Sequence, residues 1–249
     1  MAEQTVTAAL VIIGNEILSG RTQDANLAFL ATSLNEAGIQ MREVRVVPDA
    51  EADIVDAVNA LRGRFDHVFT TGGIGPTHDD ITAASVAKAF GVAYGRHPEA
   101  ERRLLAYYPP EKVNPARMKM AETPEGAELI DNPVSVAPGF TIGNVHVLPG
   151  VPSILQAMWP GLKPRLRGGA TVRSRTITVL CPEGEIAKPL GEIQASHPTV
   201  EIGSYPFMRQ DRFGTSLVLR SIDQAAIDAA AEAILAETRS RGVEVLDLF

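Results

Sequence analysis

From Ala8 to Ile13 the chain is apolar at every position, with no polar residue alternating in between, and Gly14 stops the run. A strand apolar on both faces must be covered on both faces, and such strands belong to parallel sheets layered between helices. Downstream, Leu27, Leu30, Ala31 and Leu34 fall at i, i+3, i+4 and i+7, and Gly38 stands where a helix would end in a left-handed cap. That spacing predicts an amphipathic helix. The order then repeats: Val44 to Val47 reads as strand, Ile54, Val55, Val58 and Leu61 as a helix face, His67 to Thr71 as strand, and Thr82 to Phe90 as helix. Strand and helix alternating in this way predict a doubly wound α/β fold, three layers with a mostly parallel sheet in the middle.

The segment Pro98 to Ala121 reads as a helical, basic excursion, broken at Pro109-Pro110 and restarted by Asn114 as N-cap and Pro115 as first helical residue. Short β-like runs at Phe140 to Ile142 and Val145 to Leu148 precede Pro149-Gly150-Val151-Pro152, which turns the chain into a helix ending near Trp159. Between Pro160 and Arg175 come Gly, Pro and five bases (Lys163, Arg165, Arg167, Arg173, Arg175) without a carboxylate, the composition of a connector. The expected domains are therefore 1–168 and 169–249. In the second, Thr171 to Leu180, Val200 to Ser204, Thr215 to Ser221 and Val243 to Leu246 read as strands, with Glu183 to Ala195 and Asp223 to Arg241 as helices. The order βαββαβ predicts a smaller α+β domain of KH-like topology. No Gly-x-x-Gly follows Arg175, and residues 171–249 carry 8 bases against 11 acids, so an RNA clamp is not expected.

Composition narrows the partners. With 249 residues, 45% apolar and 21% charged, the chain can bury a sizeable core and does not read as disordered. A net charge of −7 repels nucleic acid and anionic lipid, so neither is an expected partner. The single Cys181 closes no intrachain disulfide, no leader precedes the first apolar run, and that run is too short to span a bilayer. A cytoplasmic location is the expectation.

The segment Thr70 to Thr82 reads Thr-Thr-Gly-Gly-Ile-Gly-Pro-Thr-His-Asp-Asp-Ile-Thr, after a predicted strand and into a predicted helix. Glycines at the carboxyl end of a parallel strand let the main chain approach a ligand, and N–H groups at a helix start favour an anion. The loop is neither a Walker A motif nor Gly-x-Gly-x-x-Gly. It reads as a tight βα turn or as a phosphate cradle, and the acid pair Asp79-Asp80 favours the cradle. One aspartate can cap the helix. A second is costly, since like charges about 4 Å apart repel by roughly 4 kcal/mol at an effective dielectric near 20. A hard divalent cation, magnesium above all, would remove that penalty, with Asp79 and Asp80 as its ligands or water-bridging partners.

A second polar loop, Gly14-Asn15-Glu16 through Ser19 to Asp24 and Asn26, also follows a strand, as do Asp49 and Pro149-Gly150-Val151-Pro152. In open α/β sheets ligands lie at those strand ends, so these loops are expected to face one crevice. Each residue alone reads equally as loop acid, turn or cap. Arg102, Arg103, Lys112, Arg117 and Lys119 read as solvated faces or as a rim attracting a phosphorylated ligand. Of the histidines only His78 lies in a motif; His67, His97, His146 and His197 read as surface or core residues. No Gly-x-Ser-x-Gly elbow occurs, and Cys181 has no partner base in view.

Taken in order, Gly14-Asn15-Glu16, the segment Thr71 to Thr82, Asn132-Pro133, Pro138-Gly139 and Leu148 to Pro152 resemble the molybdopterin-binding domain of the CinA family across nearly all of Ala8 to Trp159. Gly203-Ser204-Tyr205-Pro206 is similar to the small domain that follows it in CinA proteins and in eukaryotic FAD synthases. The resemblance implies a MoaB/Mog fold, homo-oligomers, and a Gly-Gly-x-Gly loop that binds molybdopterin or its adenylylated form in molybdenum cofactor biosynthesis. It further implies metal-dependent pyrophosphate hydrolysis of the ADP-ribose or FAD type, with acids matching Asp49 and Asp80 tied to catalysis. The expected site then comprises Glu16, Asp49 and Asp80 as catalytic acids and Asp79 with Asp80 at the metal. Gly14, Asn15, Ser19, Asn26, Gly72, Gly73, Gly75, Pro76, Thr77, Thr82, Pro149, Gly150 and Pro152 would surround a phosphorylated small molecule. A non-catalytic cofactor-binding or regulatory module is the alternative expectation. Full-length CinA proteins add a nicotinamide mononucleotide deamidase domain; the sequence to Phe249 holds no counterpart of it, nor of an FAD-synthesising domain, so neither activity is expected.

Overall fold

The structure, a computed structural model, describes residues 5–209 and 212–248. The chain divides into two compact units, Met1–Ala170 and Thr171–Phe249. The first runs β1 (Val6–Ile13), α1 (Asn15–Leu18), α2 (Asn26–Glu36), β2 (Ile39–Val47), α3 (Glu51–Arg62), β3 (His67–Thr71) and α4 (Thr82–Phe90). The excursion follows as β4 (Tyr94–Arg96), α5 (Pro98–Tyr107), α6 (Pro115–Lys119) and β5 (Glu122–Pro124), then β6 (Glu128–Ile130), β7 (Gly139–Ile142), β8 (Val145–Leu148) and α7 (Pro152–Leu162).

The main sheet has the order β2-β1-β3-β8-β7-β6, its first four strands parallel and β7 antiparallel to both neighbours. Alternate residues of β1 explain why the run is apolar throughout. Ala9, Val11 and Ile13 pack on one face with Ile54, Val58 and Leu61 of α3 and Val86 of α4. Ala8, Leu10 and Ile12 pack on the other with Leu30 and Leu34 of α2 and Leu155 and Met158 of α7. Each fully buried Leu, Ile or Val stabilises the fold by about 1.5–3 kcal/mol, and truncating the wholly buried Leu10 to Ala should cost about 2–5 kcal/mol. Gly38 takes φ +73 at the end of α2. Its carbonyl accepts the Gly169 N–H at 3.1 Å, which ties residues 168–169 to this unit.

The excursion has a small core of its own in Ala100, Leu104, Met118 and Ala121. Asn114 caps α6 as the sequence predicts, its Oδ1 accepting the Arg117 N–H at 2.9 Å. The three-residue strands β4, β5 and β6 are not foreseen by the sequence reading, being too short to show alternation.

The second unit runs β9 (Arg173–Val179), α8 (Glu183–Ser196), β10 (Glu201–Arg209), β11 (Arg212–Ser221), α9 (Gln224–Ser240) and β12 (Val245–Leu248), with sheet order β10-β11-β9-β12, antiparallel throughout. Ile177, Val179, Leu217 and Leu219 of the sheet pack against Ile186 of α8 and Ile227 and Ile234 of α9. Asp223 caps α9 by accepting the Ala225 and Ala226 N–H groups. Among the described residues no helix is long and apolar enough to cross a membrane.

Candidate functional site

The parallel strands end level. Ile12 pairs with Thr71, Ile13 with Val47, and Thr71 with Leu148, so the loops after β1, β2, β3 and β8 leave from one edge. They are also packed main chain to main chain. The Gly14 N–H donates to the Val47 carbonyl at 3.2 Å and the Gly72 N–H to the Leu148 carbonyl at 3.1 Å. Gly72 takes φ +101 and Gly73 φ +66, and any side chain on Gly72 would strike the Ile13 carbonyl. A Cβ on Gly150 would lie 3.2 Å from the Gly72 Cα. Glycine is thus required at position 72, and position 150 leaves little room for more, where these loops touch.

Within the β3–α4 loop the acids behave differently from the sequence expectation. Neither Asp79 nor Asp80 caps α4, whose N-cap Ile81 receives no side-chain bond. Instead Asp80 Oδ2 accepts the Thr77 N–H at 2.7 Å and the Thr77 hydroxyl. The cradle amide at Thr77, expected to be free for an anion, is therefore held by the loop's own carboxylate. Thr82 is fully buried, its hydroxyl donating to the Gly72 carbonyl at 2.9 Å and its N–H to the Gly73 carbonyl at 3.0 Å, which braces the glycines. The Thr77 hydroxyl, the residue's own N–H, and the charges of His78 and Lys119 hold the Asp79 carboxyl below its usual range. A hydroxyl has one proton, and the geometry gives it to Asp80; Asp79 gains from proximity to the same group. Pro76, Thr77, His78 and Asp79 are exposed.

At the β1 end, α1 is a single turn. The Glu16 carboxylate lies over Gly14, where a Cβ would come within 2.5 Å of its Oε1. Asn15 donates its N–H to Asp49 Oδ2 at 2.9 Å, so Asp49 ties the end of β2 to the end of β1. Ser19 closes the turn through its hydroxyl on the Glu16 carbonyl at 3.3 Å. Asn26 is buried and donates from Nδ2 to the Gly150 carbonyl at 2.8 Å, linking α2 to the loop of Pro149, Gly150 and Pro152. Asn26 Oδ1, Thr70 Oγ1 and Thr71 Oγ1 are buried with no hydrogen-bond partner among the described residues. Two of these lie directly at the glycine loops.

One of the bases read as solvated face or rim comes to the loop itself. Lys119, at the end of α6, donates from Nζ to the Thr77 carbonyl at 2.7 Å. With Tyr94 and Glu122 it walls a shallow dent of about 10 Å³ whose floor includes Gly73, Gly75 and Asp80. The Thr77-x-x-Asp80 spacing was a legible signal for the loop bond, since a hydroxyl residue followed three positions later by an acid is the capping-box pattern; Lys119 was legible only as one base of a basic stretch. Among the described residues no three His, Cys, Asp or Glu side chains gather as a metal cage. Asp79 and Asp80 supply two carboxylates beside Thr77, a number that suits magnesium when ligand phosphates and water complete its shell.

A larger cavity, about 300 Å³, lies at the opposite edge, lined by Asp66, His67, Glu128, Thr141, His146 and Arg165 among others. His67 Nε2 lies 3.0 Å from the Arg167 carbonyl, His67 Nδ1 3.1 Å from His146 Nε2, and His146 Nδ1 3.0 Å from the Thr141 hydroxyl. A carbonyl only accepts, so with both rings neutral His67 donates from Nε2, His146 donates to His67, and Thr141 donates to His146. Burial, with His67 and Arg165 adding to it, pushes His146 down to about 3.

Residues 9–168 match the family described as "Probable molybdopterin binding domain", and residues 171–246 match "FAD synthase, middle domain". The crystal structure of CinA from Thermoplasma acidophilum superposes with a TM-score of 0.61 at 34% identity, covering 65% of this chain and 99% of that one. The chain belongs to the CinA family. A CinA-like protein of Syntrophus aciditrophicus is 34% identical over 96% of this CinA-family chain, which spans only 58% of that protein. A protein of Aeropyrum pernix is 37% identical, with 98% of this chain and 96% of the other covered. The CinA-family chain therefore pairs a molybdopterin-binding domain with a domain like the middle one of FAD synthase.

Proposed function

We propose that this CinA-family chain binds a phosphorylated pterin or nucleotide where the Gly14, Gly72 and Gly150 loops meet, and hydrolyses a pyrophosphate bond of the ADP-ribose or FAD type there with magnesium. The observation that carries the reading is the main-chain packing of three strand-end loops around Gly72, which tolerates no side chain. The edge is the place where open α/β sheets bind ligands, and among the described residues the Gly73 and Gly75 N–H groups, unlike those of Gly14 and Gly72, are not taken up by the loop packing. The orphaned Asn26 Oδ1 and Thr71 Oγ1 beside it support the reading, because buried polar atoms ordinarily have a partner. The family matched by residues 9–168 adds molybdopterin as the ligand class at this edge; the FAD synthase family is matched by residues 171–246, outside it.

In this reading Gly72, Gly73 and Gly75 let the main chain approach the phosphates, and Asp79 and Asp80 are the residues that would hold the cation. A bound cation would neutralise the diphosphate and stabilise charge on the leaving oxygen. Asp49, with one oxygen on the Asn15 N–H, has the other available to a water, and Glu16 is the second acid at that edge. The water oxygen bonds to phosphorus, the bridging P–O bond breaks, and the proton of the water passes to a carboxylate.

Purified protein incubated with ADP-ribose or FAD, with and without magnesium, tests this. Metal-dependent release of AMP is expected, and Asp80→Asn should lower turnover by about 100-fold or more while binding persists. Absence of turnover with every divalent cation would remove hydrolysis. A carrier function is favoured by one observation, the engagement of Asp80 with its own loop; tight binding of a molybdopterin-type ligand without cleavage is its outcome.

A further inference from the structure

Thr77 is held from two sides. Its N–H and hydroxyl donate to Asp80, and its carbonyl accepts from Lys119 Nζ at 2.7 Å. An acid thus occupies the donor side of one loop residue and a base the acceptor side. The carboxylate sits where an external anion would bind this amide, and Gly75 leaves it room: a Cβ there would lie 2.7 Å from Asp80 Oδ2.

Lys119 is delivered to the loop by its own element. Asn114 and Pro115 set the start of α6, Met118 is buried against the excursion core, and the next residue reaches across 42 positions of sequence to Thr77. The neighbouring bases are engaged elsewhere: Arg102 and Arg103 pair with Glu99, and Arg117 donates to the Lys112 carbonyl. Among the residues lining the dent Lys119 is the one base, facing Asp80 and Glu122. An ammonium has three donors, of which Thr77 takes one.

Resting on the reading of this edge as a phosphate site, we propose that Lys119 is its phosphate-recognition residue: a ligand phosphate replaces the Asp80 carboxylate on Thr77, Lys119 takes up its charge, and Asp80 is freed. The phosphate oxygens accept from the same N–H and hydroxyl, and they carry more charge than the carboxylate, so a cation beside Thr77 favours the exchange. The recognised class is a phosphate or diphosphate ester; the uncharged part of the ligand is read elsewhere.

Calorimetric titration with inorganic pyrophosphate, first without metal, separates the outcomes. Lys119→Met should weaken binding about 10-fold or more, with Lys119→Arg within about 3-fold of wild type. Asp80→Asn should bind metal-free pyrophosphate about 3-fold or more tightly than wild type, because the competing charge is gone, although its turnover falls. A well-folded Lys119→Met with wild-type affinity overturns the role of Lys119. Should Lys119→Met fail to fold, Lys119→Arg and Asp80→Asn decide, and weaker binding by Asp80→Asn overturns the exchange. Wild-type protein that ignores pyrophosphate removes the phosphate reading of the edge itself, and this inference with it.

Discussion

The two ends of the main sheet are built on opposite principles. At the amino end, the larger cavity is lined by side chains that satisfy one another: Asp66 accepts the Thr7 N–H at 2.9 Å and pairs with Arg167, Arg165 pairs with Glu128, and the histidines close a chain with Thr141. At the carboxyl end there is barely a hollow, yet main-chain groups, the exposed Asp79, the half-buried Asp80 and a lysine crowd around glycines, and buried acceptors lack partners. Between these two ends alone, volume would favour the first. Unsatisfied bonding capacity selects the second, because a site must have something left to offer a ligand.

The contrast can be broken most severely at glycine. Gly72→Ala forces a methyl group toward the Ile13 carbonyl at φ +101, and should cost about 3 kcal/mol or more and abolish ligand binding. Gly143→Ala, at the other end and at φ +55, meets only the Phe90 ring and should cost about 1–2 kcal/mol with binding intact. Denaturant midpoints and titration with ADP-ribose compare the two directly. Equal losses of binding would erase the distinction between the ends.

Acid sharpens it next. His146 lies at about 3 in the folded chain against 6.5 for a free histidine. Between those values the unfolded chain binds the extra proton, so stability is complete above pH 6.5 and falls on acidification by up to about 1.4 kcal/mol per pH unit. His146→Gln, which keeps a donor for His67 and an acceptor for Thr141, should flatten this acid limb and leave ADP-ribose binding unchanged at pH 7.5. A limb as steep as wild type would show that the ring is not the group responsible. The smallest effect belongs to Arg165→Ala: its ion pair with Glu128 is solvent-facing and should contribute less than about 1 kcal/mol to the midpoint, with no change in ligand affinity.

Much of this was legible in the chain because it is local. The unbroken apolar run of β1 demanded cover on both faces, His67 to Thr71 and Thr82 to Phe90 fall on the bounds of β3 and α4, and the glycines between them marked the loop. The position of Asp80 was half legible, its distance from Thr77 being set by sequence but the absence of a helix cap by the loop's path. What escaped depends on strand order and long-range approach. His67 and His146 meet because β8 lies beside β3, which no periodicity encodes. Lys119 reads as one of several bases on an exposed helix until the fold brings it to a carbonyl 42 residues away.

An amide-resolved spectrum of the protein titrated with magnesium and ADP decides between the two ends. The largest shifts are expected at the N–H groups of Gly72, Gly73, Gly75 and Thr77, with Gly126, Thr141, Gly143 and His146 still. Shifts gathered on the latter four, with the glycine loop unmoved, would contradict the placement of the ligand.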